Sequence, residues 1–229
     1  MIKRIHNYLR RAVNYTDKSS PAYRYRRKRM DIFECQFEKM FGKSKDIIKI
    51  LDVGGTLSFW TVLDFKYINR VHITLLNVEA EEIPENLQNI FVSIAGDATN
   101  MSEFKDNSFD LVFSNSVIEH VGDFEAQRKM MQEMKRISTH RYIQTPNRYF
   151  PIEPHYGFPL FQFFPMKLKV YMVQHYKLRC ERAVNAQEAY EIASGVRLMK
   201  KKDLERLLPN EVIHRERVFG FTKSFYVFF

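Results

Sequence analysis

The chain has 229 residues, is 45% hydrophobic and carries a formal net charge of +9, which fits one globular domain and excludes a disordered chain. No stretch approaches the ~20 apolar residues of a membrane-spanning helix, and the charged start does not resemble a signal peptide. The two cysteines, Cys35 and Cys180, form neither a metal-binding spacing nor a disulfide framework, so we predict a cytoplasmic location.

The positive charge is concentrated in an N-terminal segment, which we define as residues 1–45. Residues 1–50 contain 14 Lys and Arg and 5 acidic residues, whereas the other 179 residues contain 22 of each. Apolar residues at helical spacing predict a first helix over 2–13, and a second helix is predicted from about Asp31 to Phe41 with Gly42 as its C-cap. We interpret this basic helical segment as an appended functional or docking element.

From residue 46 to 229, short apolar runs alternate with helical sequence. Strands are predicted at 47–53, 71–78, 90–94, 109–113 and 141–144, with a helix over 123–138. A helix over 200–208 and a hairpin of strands 212–219 and 224–229 close the chain. The pattern predicts an α/β fold of the Rossmann-like type, a three-layer sandwich with a mostly parallel sheet and an antiparallel strand from the terminal hairpin.

Residues 146–196 interrupt this alternation with five prolines and many aromatic residues. We interpret them as a helical and aromatic cap that binds a substrate with apolar or ring-containing parts. The alternative is that the aromatic rings only pack the cap onto the sheet.

Polar residues and glycines follow the first four strands. In an open parallel sheet, ligands bind at the carboxyl ends of the strands, near the switch in strand order. The candidates are Asp52, Gly54 and Gly55; Asn77 and Glu79; Gly96, Asp97 and Ala98; and Ser114 and Asn115. Taken singly, each has a local explanation as a turn or cap. A dinucleotide site is disfavoured because the loop from Gly54 to Phe59 lacks the third glycine of that motif.

The run from about Ile47 to Gln144 resembles class I S-adenosylmethionine-dependent methyltransferases, in particular a bacterial small-molecule subgroup of methyltransferase type 11. The motif Asn-Ser-Val-Ile-Glu-His-Val at 115–121, the segment 144–155 and the segment 197–225 carry this resemblance. It covers roughly residues 45–229, so 46–229 is expected to be the methyltransferase domain, with S-adenosyl-L-methionine as its cofactor.

The resemblance also implies roles for the candidate residues. Asp52, Gly54 and Gly55 would surround the methionine part of the cofactor, with Ser114 and Asn115 on the sulfonium side. Asn77 would face the ribose, and Asp97, with Gly96 and Ala98 beside it, the adenine. Two positions depart from the family pattern: Thr56 replaces a third glycine, and Asn77 replaces an acidic residue, for which Glu79 is a possible substitute.

Methyl transfer to a hydroxyl benefits from a general base, and His120 and His155 are the candidates because the pKa of histidine lies near neutrality. Either histidine can instead be structural. Glu119 with His120 is a weak metal signature, because two adjacent residues alone do not make a site, so no metal is predicted.

The sequence therefore predicts a methyltransferase that acts on a small-molecule or lipid- or sugar-linked acceptor, with oxygen as the methylated atom. One alternative is an RNA methyltransferase that uses the Arg-rich stretch 23–29. The other is a non-catalytic cofactor-binding or partner subunit with the same fold, suggested by Thr56 and Asn77. The basic N-terminus could also contact the inner face of the membrane peripherally, whereas nucleic acid is the less expected partner.

Overall fold

A computed structural model describes residues 16–178 and 182–229, so the helix predicted over 2–13 and Cys180 lie outside the described residues. A seven-stranded sheet has the order β3-β2-β1-β4-β5-β9-β8, and β6 and β7 form a separate small hairpin. The strands are β1 Ile48–Val53, β2 Val71–Asn77, β3 Phe91–Ala95, β4 Leu111–Asn115, β5 Arg141–Pro146, β6 Ile152–Glu153, β7 Phe158–Pro159, β8 His214–Val218 and β9 Phe221–Phe228. Strands β1 to β5 pair in parallel and β9 joins β5 in antiparallel orientation, as predicted.

Helices cover both faces of the sheet. The α-helices of the described residues are α1 Pro21–Phe41, α2 Leu57–Val62, α3 Phe124–Ile137, α4 Met166–His175, α5 Ala186–Ser194 and α6 Lys201–Leu207. Side chains of β1 alternate between the faces: Ile48 and Ile50 pack with α1, whereas Leu51 and Val53 pack with α3. Within the described residues, no helix is long and apolar enough to cross a membrane.

Helix α1 begins ten residues earlier than the predicted start at Asp31. Ser20 is its N-cap, since its Oγ accepts a hydrogen bond from the Tyr23 N–H (3.0 Å), and Pro21 opens the first turn, where its missing N–H costs nothing. The predicted end is confirmed, with Gly42 as C-cap. Phe33 and Phe37 are fully buried against the sheet, so α1 forms a layer of the fold.

The cap has a small core of its own. Tyr156 and Phe161 stack with ring centroids 4.0 Å apart and pack with Met172 and Val173 of α4 and Ala189 of α5. These two buried rings therefore hold the cap together from within, whereas the packing alternative placed the aromatic rings between the cap and the sheet.

Candidate active site

A cavity of about 220 Å³ opens where the strand order reverses, between β1 and β4. This switch point is where an open α/β sheet binds its ligands. Four of the ten predicted cofactor residues line the cavity: Asp52, Gly54, Gly55 and Asn115. Among the side chains that sequence reasoning missed are Phe59 of α2, Phe113 of β4 and Arg26 of α1. We call this space the cofactor cavity.

Both glycines of the loop are required by its geometry. Gly54 has φ +73°, which favours glycine, and a Cβ there would lie 2.5 Å from the Val117 methyl carbons. A Cβ on Gly55 would lie 1.7 Å from Asp52 Oδ2. Thr56, where the family pattern has a third glycine, has φ −124°, a value open to any residue. This departure therefore leaves the loop conformation intact.

Asp52 places a buried carboxylate under the loop. It is 1% exposed, and its Oδ2 accepts a hydrogen bond from the Trp60 Nε1–H at 2.7 Å. Its Oδ1 is buried without a hydrogen-bond partner in the described part of the chain. Burial raises the pKa of Asp52 to about 7, against the lowering effect of the Trp60 bond. An orphaned acceptor beside a glycine cradle fits the ammonium group of a methionine moiety.

At the end of β2, Asn77 ties the loop to the sheet. Its Nδ2 donates to the Gly55 carbonyl at 2.5 Å, while Glu79 is exposed. An acid that sequence reasoning missed, Glu81, accepts a hydrogen bond from the Leu57 N–H (2.6 Å) at the first residue of α2. Thr56 is the N-cap of this helix, but its side chain accepts no hydrogen bond from a helix N–H group. The Glu81 carboxylate takes over that capping role.

After β3, Asp97 makes a local turn. Its carboxylate accepts hydrogen bonds from the Thr99 N–H (2.8 Å) and hydroxyl (2.9 Å), and it is exposed. Gly96 lies tightly against Leu76, whose Cδ1 would be 2.6 Å from an added Cβ. Neither residue, nor Ala98, lines the cofactor cavity. They stand farther along the same sheet edge, and their adenine role stays a prediction.

Ser114 and Asn115 point to opposite faces of the sheet. Asn115 lines the cofactor cavity, and its Oδ1 accepts a hydrogen bond from Arg29 Nη1 at 3.2 Å. Ser114 is fully buried and does not line the cavity, and its Oγ has no hydrogen-bond partner within the described residues. The alternation of side chains along β4 separates the two residues.

A second cavity, of about 300 Å³, adjoins the first, because Arg26 and Ser116 line both. We call it the acceptor cavity. Its walls come from α1, the end of β5, the start of the cap and the β8–β9 hairpin. Three cationic side chains and one carboxylate line it: Arg26, Arg29, Lys223 and Glu216. Sequence reasoning predicted substrate binding by one of these segments, the cap, and missed the contributions of the other three because the four segments are far apart in the chain.

The two predicted catalytic histidines lie together, with 3.1 Å between their Nε2 atoms. Glu153 Oε1 is 2.7 Å from His155 Nδ1. Desolvation of the ring, together with the neighbouring His155, lowers the pKa of His120 to about 4, although the residue as a whole is exposed. Neither histidine lines the cofactor cavity or the acceptor cavity, although Pro154 lines the latter.

Glu119 directly precedes His120 in the turn after β4 and is fully buried. Its Oε2 accepts a hydrogen bond from Thr145 Oγ1 at 2.9 Å, and burial raises its pKa to about 7.

Comparison with known proteins supports the resemblance. Residues 51–140 match the family described as a methyltransferase domain. No curated protein matches the sequence.

Solved structures share the fold at low sequence identity. A Nostoc punctiforme protein whose name proposes an O-methyltransferase has a TM-score of 0.50 and 10% identity, covering 88% of this chain and 56% of its own. The CurJ carbon methyltransferase has a TM-score of 0.54 and 11% identity, covering 87% and 53%. A Rhodobacter sphaeroides protein whose name proposes a zinc-dependent alcohol dehydrogenase has a TM-score of 0.51 and 12% identity, covering 89% and 97%.

At such identities these likenesses establish the fold alone, and the present chain spans about half the length of the first two proteins. The family match over residues 51–140 adds the protein class, which is that of a methyltransferase domain. The predicted fold, the predicted methyltransferase class and S-adenosyl-L-methionine as its cofactor are thereby confirmed for this domain.

Proposed function

We propose that the S-adenosylmethionine-dependent methyltransferase domain at residues 51–140 works with α1, the cap and the terminal hairpin to methylate an oxygen atom of a small-molecule or lipid- or sugar-linked acceptor. The acceptor carries an anionic group. The observation that carries this proposal is the pair of adjoining cavities that share Arg26 and Ser116. One holds the methyl donor and the other the acceptor.

The charges of the acceptor cavity favour an anion. Arg29 Nε lies 3.7 Å from Glu216 Oε2, and Lys223 Nζ lies 3.8 Å from Glu216 Oε1, so one carboxylate faces two cations. Arg26 adds a third positive charge, and the cavity keeps an excess of two. A phosphate or carboxylate on the acceptor would balance it through charge-assisted hydrogen bonds.

Apolar side chains complete the acceptor cavity and suit the body of a sugar, ring or lipid-linked compound. Tyr25, Phe150, Ile152 and Val218 line it beside the charged groups. Such a mixture of apolar walls and a few polar groups is typical of small-molecule sites.

In the proposed reaction the cofactor supplies an electrophilic methyl group, and the protein holds the acceptor in line with it. Asp52 would take the cofactor ammonium, and Asn115 would lie on the sulfonium side. Asn77 and Asp97 would hold the ribose and the adenine farther along the sheet edge. Since His120 and His155 line neither cavity, we assign the rate enhancement chiefly to positioning.

The packing of α1 speaks against an RNA-binding arm. Arg27 pairs with Glu34 at 2.5 Å and with Asp31 at 2.7 Å, and Arg29 binds Asn115. The charge of Arg27 is thus already balanced by carboxylates and is not available to neutralise phosphates along an RNA strand. The membrane contact proposed for the basic N-terminal segment stays a prediction, and residues 1–15 of that segment lie outside the described range.

Arg26→Gln tests the proposal, with Arg24→Gln as the matched control, because Arg24 is exposed on the same helix. Transfer of a labelled methyl group from S-adenosylmethionine would be measured for hydroxylated acceptors with and without a phosphate or carboxylate, and for RNA. We expect Arg26→Gln to raise KM for anionic acceptors about 10-fold, the loss of one charge-assisted contact. Arg24→Gln should leave KM unchanged.

Two results would contradict the proposal. Methylation of RNA alone, with equal losses in the two variants, would favour the nucleic-acid alternative. Absence of S-adenosylhomocysteine binding in calorimetry at millimolar ligand would favour the non-catalytic subunit.

A further inference from the structure

Three side chains outside the two cavities converge on one point. They are Glu119 and His120, in the 3-10 turn Ile118–His120 after β4, and His155, which follows β6 in the cap. One ligand atom of each lies within 4.8 Å of the other two. From this cluster we infer a divalent-cation site, of the two-imidazole and one-carboxylate kind that takes Zn²⁺ or a similar first-row metal ion.

Two of the three distances between the ligand atoms are close to those around a tetrahedral ion. With Zn–N bonds of about 2.0–2.1 Å, two imidazole nitrogens on one ion stand roughly 3.3 Å apart. His120 Nε2 and His155 Nε2 are 3.1 Å apart, and His155 Nε2 is 3.8 Å from Glu119 Oε1. Shifts of up to about 0.5 Å would bring these two pairs to coordinating distance. The third pair, Glu119 and His120, lies within 4.8 Å and would close by up to about 1.5 Å on binding the ion.

One oxygen of the Glu119 carboxylate is free to bind a metal ion. Glu119 is fully buried, and Thr145 occupies its Oε2. Its Oε1 has no hydrogen-bond partner among the described residues, although it lies in the cluster beside His155. A buried carboxylate oxygen left without a partner is costly, and a cation would satisfy it.

Two of the three ligands are also held by a second group. Thr145 Oγ1 donates to Glu119 Oε2, and Glu153 Oε1 lies 2.7 Å from His155 Nδ1. Metal-binding histidines characteristically give their other ring nitrogen to a carboxylate or a carbonyl, which orients the ring and fixes its tautomer.

The ion would connect the turn after β4 to the cap. Because His120 is exposed, the site also has an entry path. Neither histidine lines the cofactor cavity or the acceptor cavity, so the ion would position the cap and not act on the methyl group. The site does not depend on the proposed acceptor. It is an alternative to the predicted general-base role, since a metal-bound Nε2 cannot accept a proton.

Zinc binding by the untagged full chain tests this site. Chelator-treated protein would be titrated with Zn²⁺ in a calorimeter, and the bound metal would be counted by elemental analysis after gel filtration. The variants are His155→Asn, Glu119→Gln and Glu153→Gln. His175→Asn is the matched control, since His175 is exposed on α4 and, among the described residues, its ring hydrogen-bonds the Tyr171 carbonyl of the same helix.

We expect one Zn²⁺ per chain, and a higher unfolding temperature with Zn²⁺, in the wild type and in His175→Asn. His155→Asn and Glu119→Gln should lose both effects. Glu153→Gln should keep the stoichiometry with about 10- to 100-fold weaker binding, because Glu153 orients a ligand without being one.

If His155→Asn does not fold, Glu119→Gln decides alone, because it keeps the shape of the side chain and an acceptor for Thr145. Failure of the wild type to bind Zn²⁺, or equal binding by the wild type and both ligand variants, would overturn the site. The 3.1 Å contact would then be only a hydrogen bond between two imidazoles.

Discussion

Replacing Asp52 by Asn tests the buried carboxylate at the centre of the cofactor cavity. Asparagine keeps the shape and can still accept the Trp60 hydrogen bond, but it carries no ionisable proton. The pKa of Asp52 is raised from 3.8 to about 7, so between these pH values the folded protein keeps a proton that the unfolded chain has released. Stability should therefore fall as the pH rises through this range and level off above pH 7.

The magnitude follows from the two pKa values. The difference between 3.8 and about 7 corresponds to about 4 kcal/mol in all, since one pH unit is about 1.4 kcal/mol. Between pH 5 and pH 8 this carboxyl alone should lower the free energy of unfolding by roughly 3 kcal/mol. Asp52→Asn removes this contribution, so the variant should gain by that amount relative to the wild type over the same range.

Urea unfolding at pH 5, 6, 7 and 8 measures the effect, with circular dichroism and the fluorescence of Trp60, the one tryptophan of the chain, as probes. Asp46→Asn is the control, because it makes the same change at an exposed position. A stability difference between wild type and Asp52→Asn that stays constant from pH 5 to pH 8 would refute the reasoning. The carboxylate would then ionise in the folded state as it does in water.

Three further substitutions test the loop, the core and the cap. Gly55→Ala should abolish S-adenosylhomocysteine binding in calorimetry, because the new Cβ would overlap the buried carboxylate at 1.7 Å. Gly220→Ala strains a backbone at φ +82° but has nothing within 4 Å of its Cβ, so it should bind normally and controls for backbone strain alone. Phe33→Ala should lower the free energy of urea unfolding by about 3–5 kcal/mol, while Phe219→Ala, at a position 93% exposed, should change it by less than about 0.5 kcal/mol. Tyr156→Phe removes a 2.6 Å hydrogen bond to a backbone carbonyl of α5 and should cost on the order of 1 kcal/mol in the same assay.

The parallel sheet could be predicted because its strands are buried on both faces and appear as continuous apolar runs. The largest error in these parallel strands concerns β4, predicted at 109–113 and found at Leu111–Asn115. Phe109 belongs to the apolar run, but Asp110 accepts a hydrogen bond from the Lys49 N–H (2.7 Å) through its side chain. The strand ladder therefore starts after Asp110, and hydropathy alone does not reveal that.

The start of α1 could not be read from periodicity for a related reason. Its second half buries Phe33 and Phe37, so the apolar spacing is clear there. Its first half turns Arg26 and Arg29 toward the acceptor cavity, and Arg26 also lines the cofactor cavity. A helix face that presents charged side chains to a site carries no apolar stripe. The hydrophobic pattern is thus lost in the part of the helix that contributes to the site.

The candidate site also has a part that could be predicted from the sequence and a part that could not. Residues of one strand–loop unit, such as Asp52, Gly54 and Gly55, could be predicted because their spacing is local. The acceptor cavity and the cluster of Glu119 with His120 and His155 depend on contacts between distant segments. His155 is 35 residues from His120 in sequence, and only the fold of the cap brings their rings together.

The basic N-terminal region gains a different meaning from this geometry. From the sequence, the positive charge of this region belongs to an appended segment. For residues 1–15 that interpretation remains a prediction. In α1, however, Arg26 lines both cavities and Arg29 binds Asn115 at the carboxyl end of β4. Because the same helix buries Phe33 against Phe113 of that strand, with ring centroids 4.9 Å apart, the core fixes where these arginines stand. The positive charge at this edge of the sheet is therefore held in place by packing, as a site that recognises one anionic group in a defined position requires.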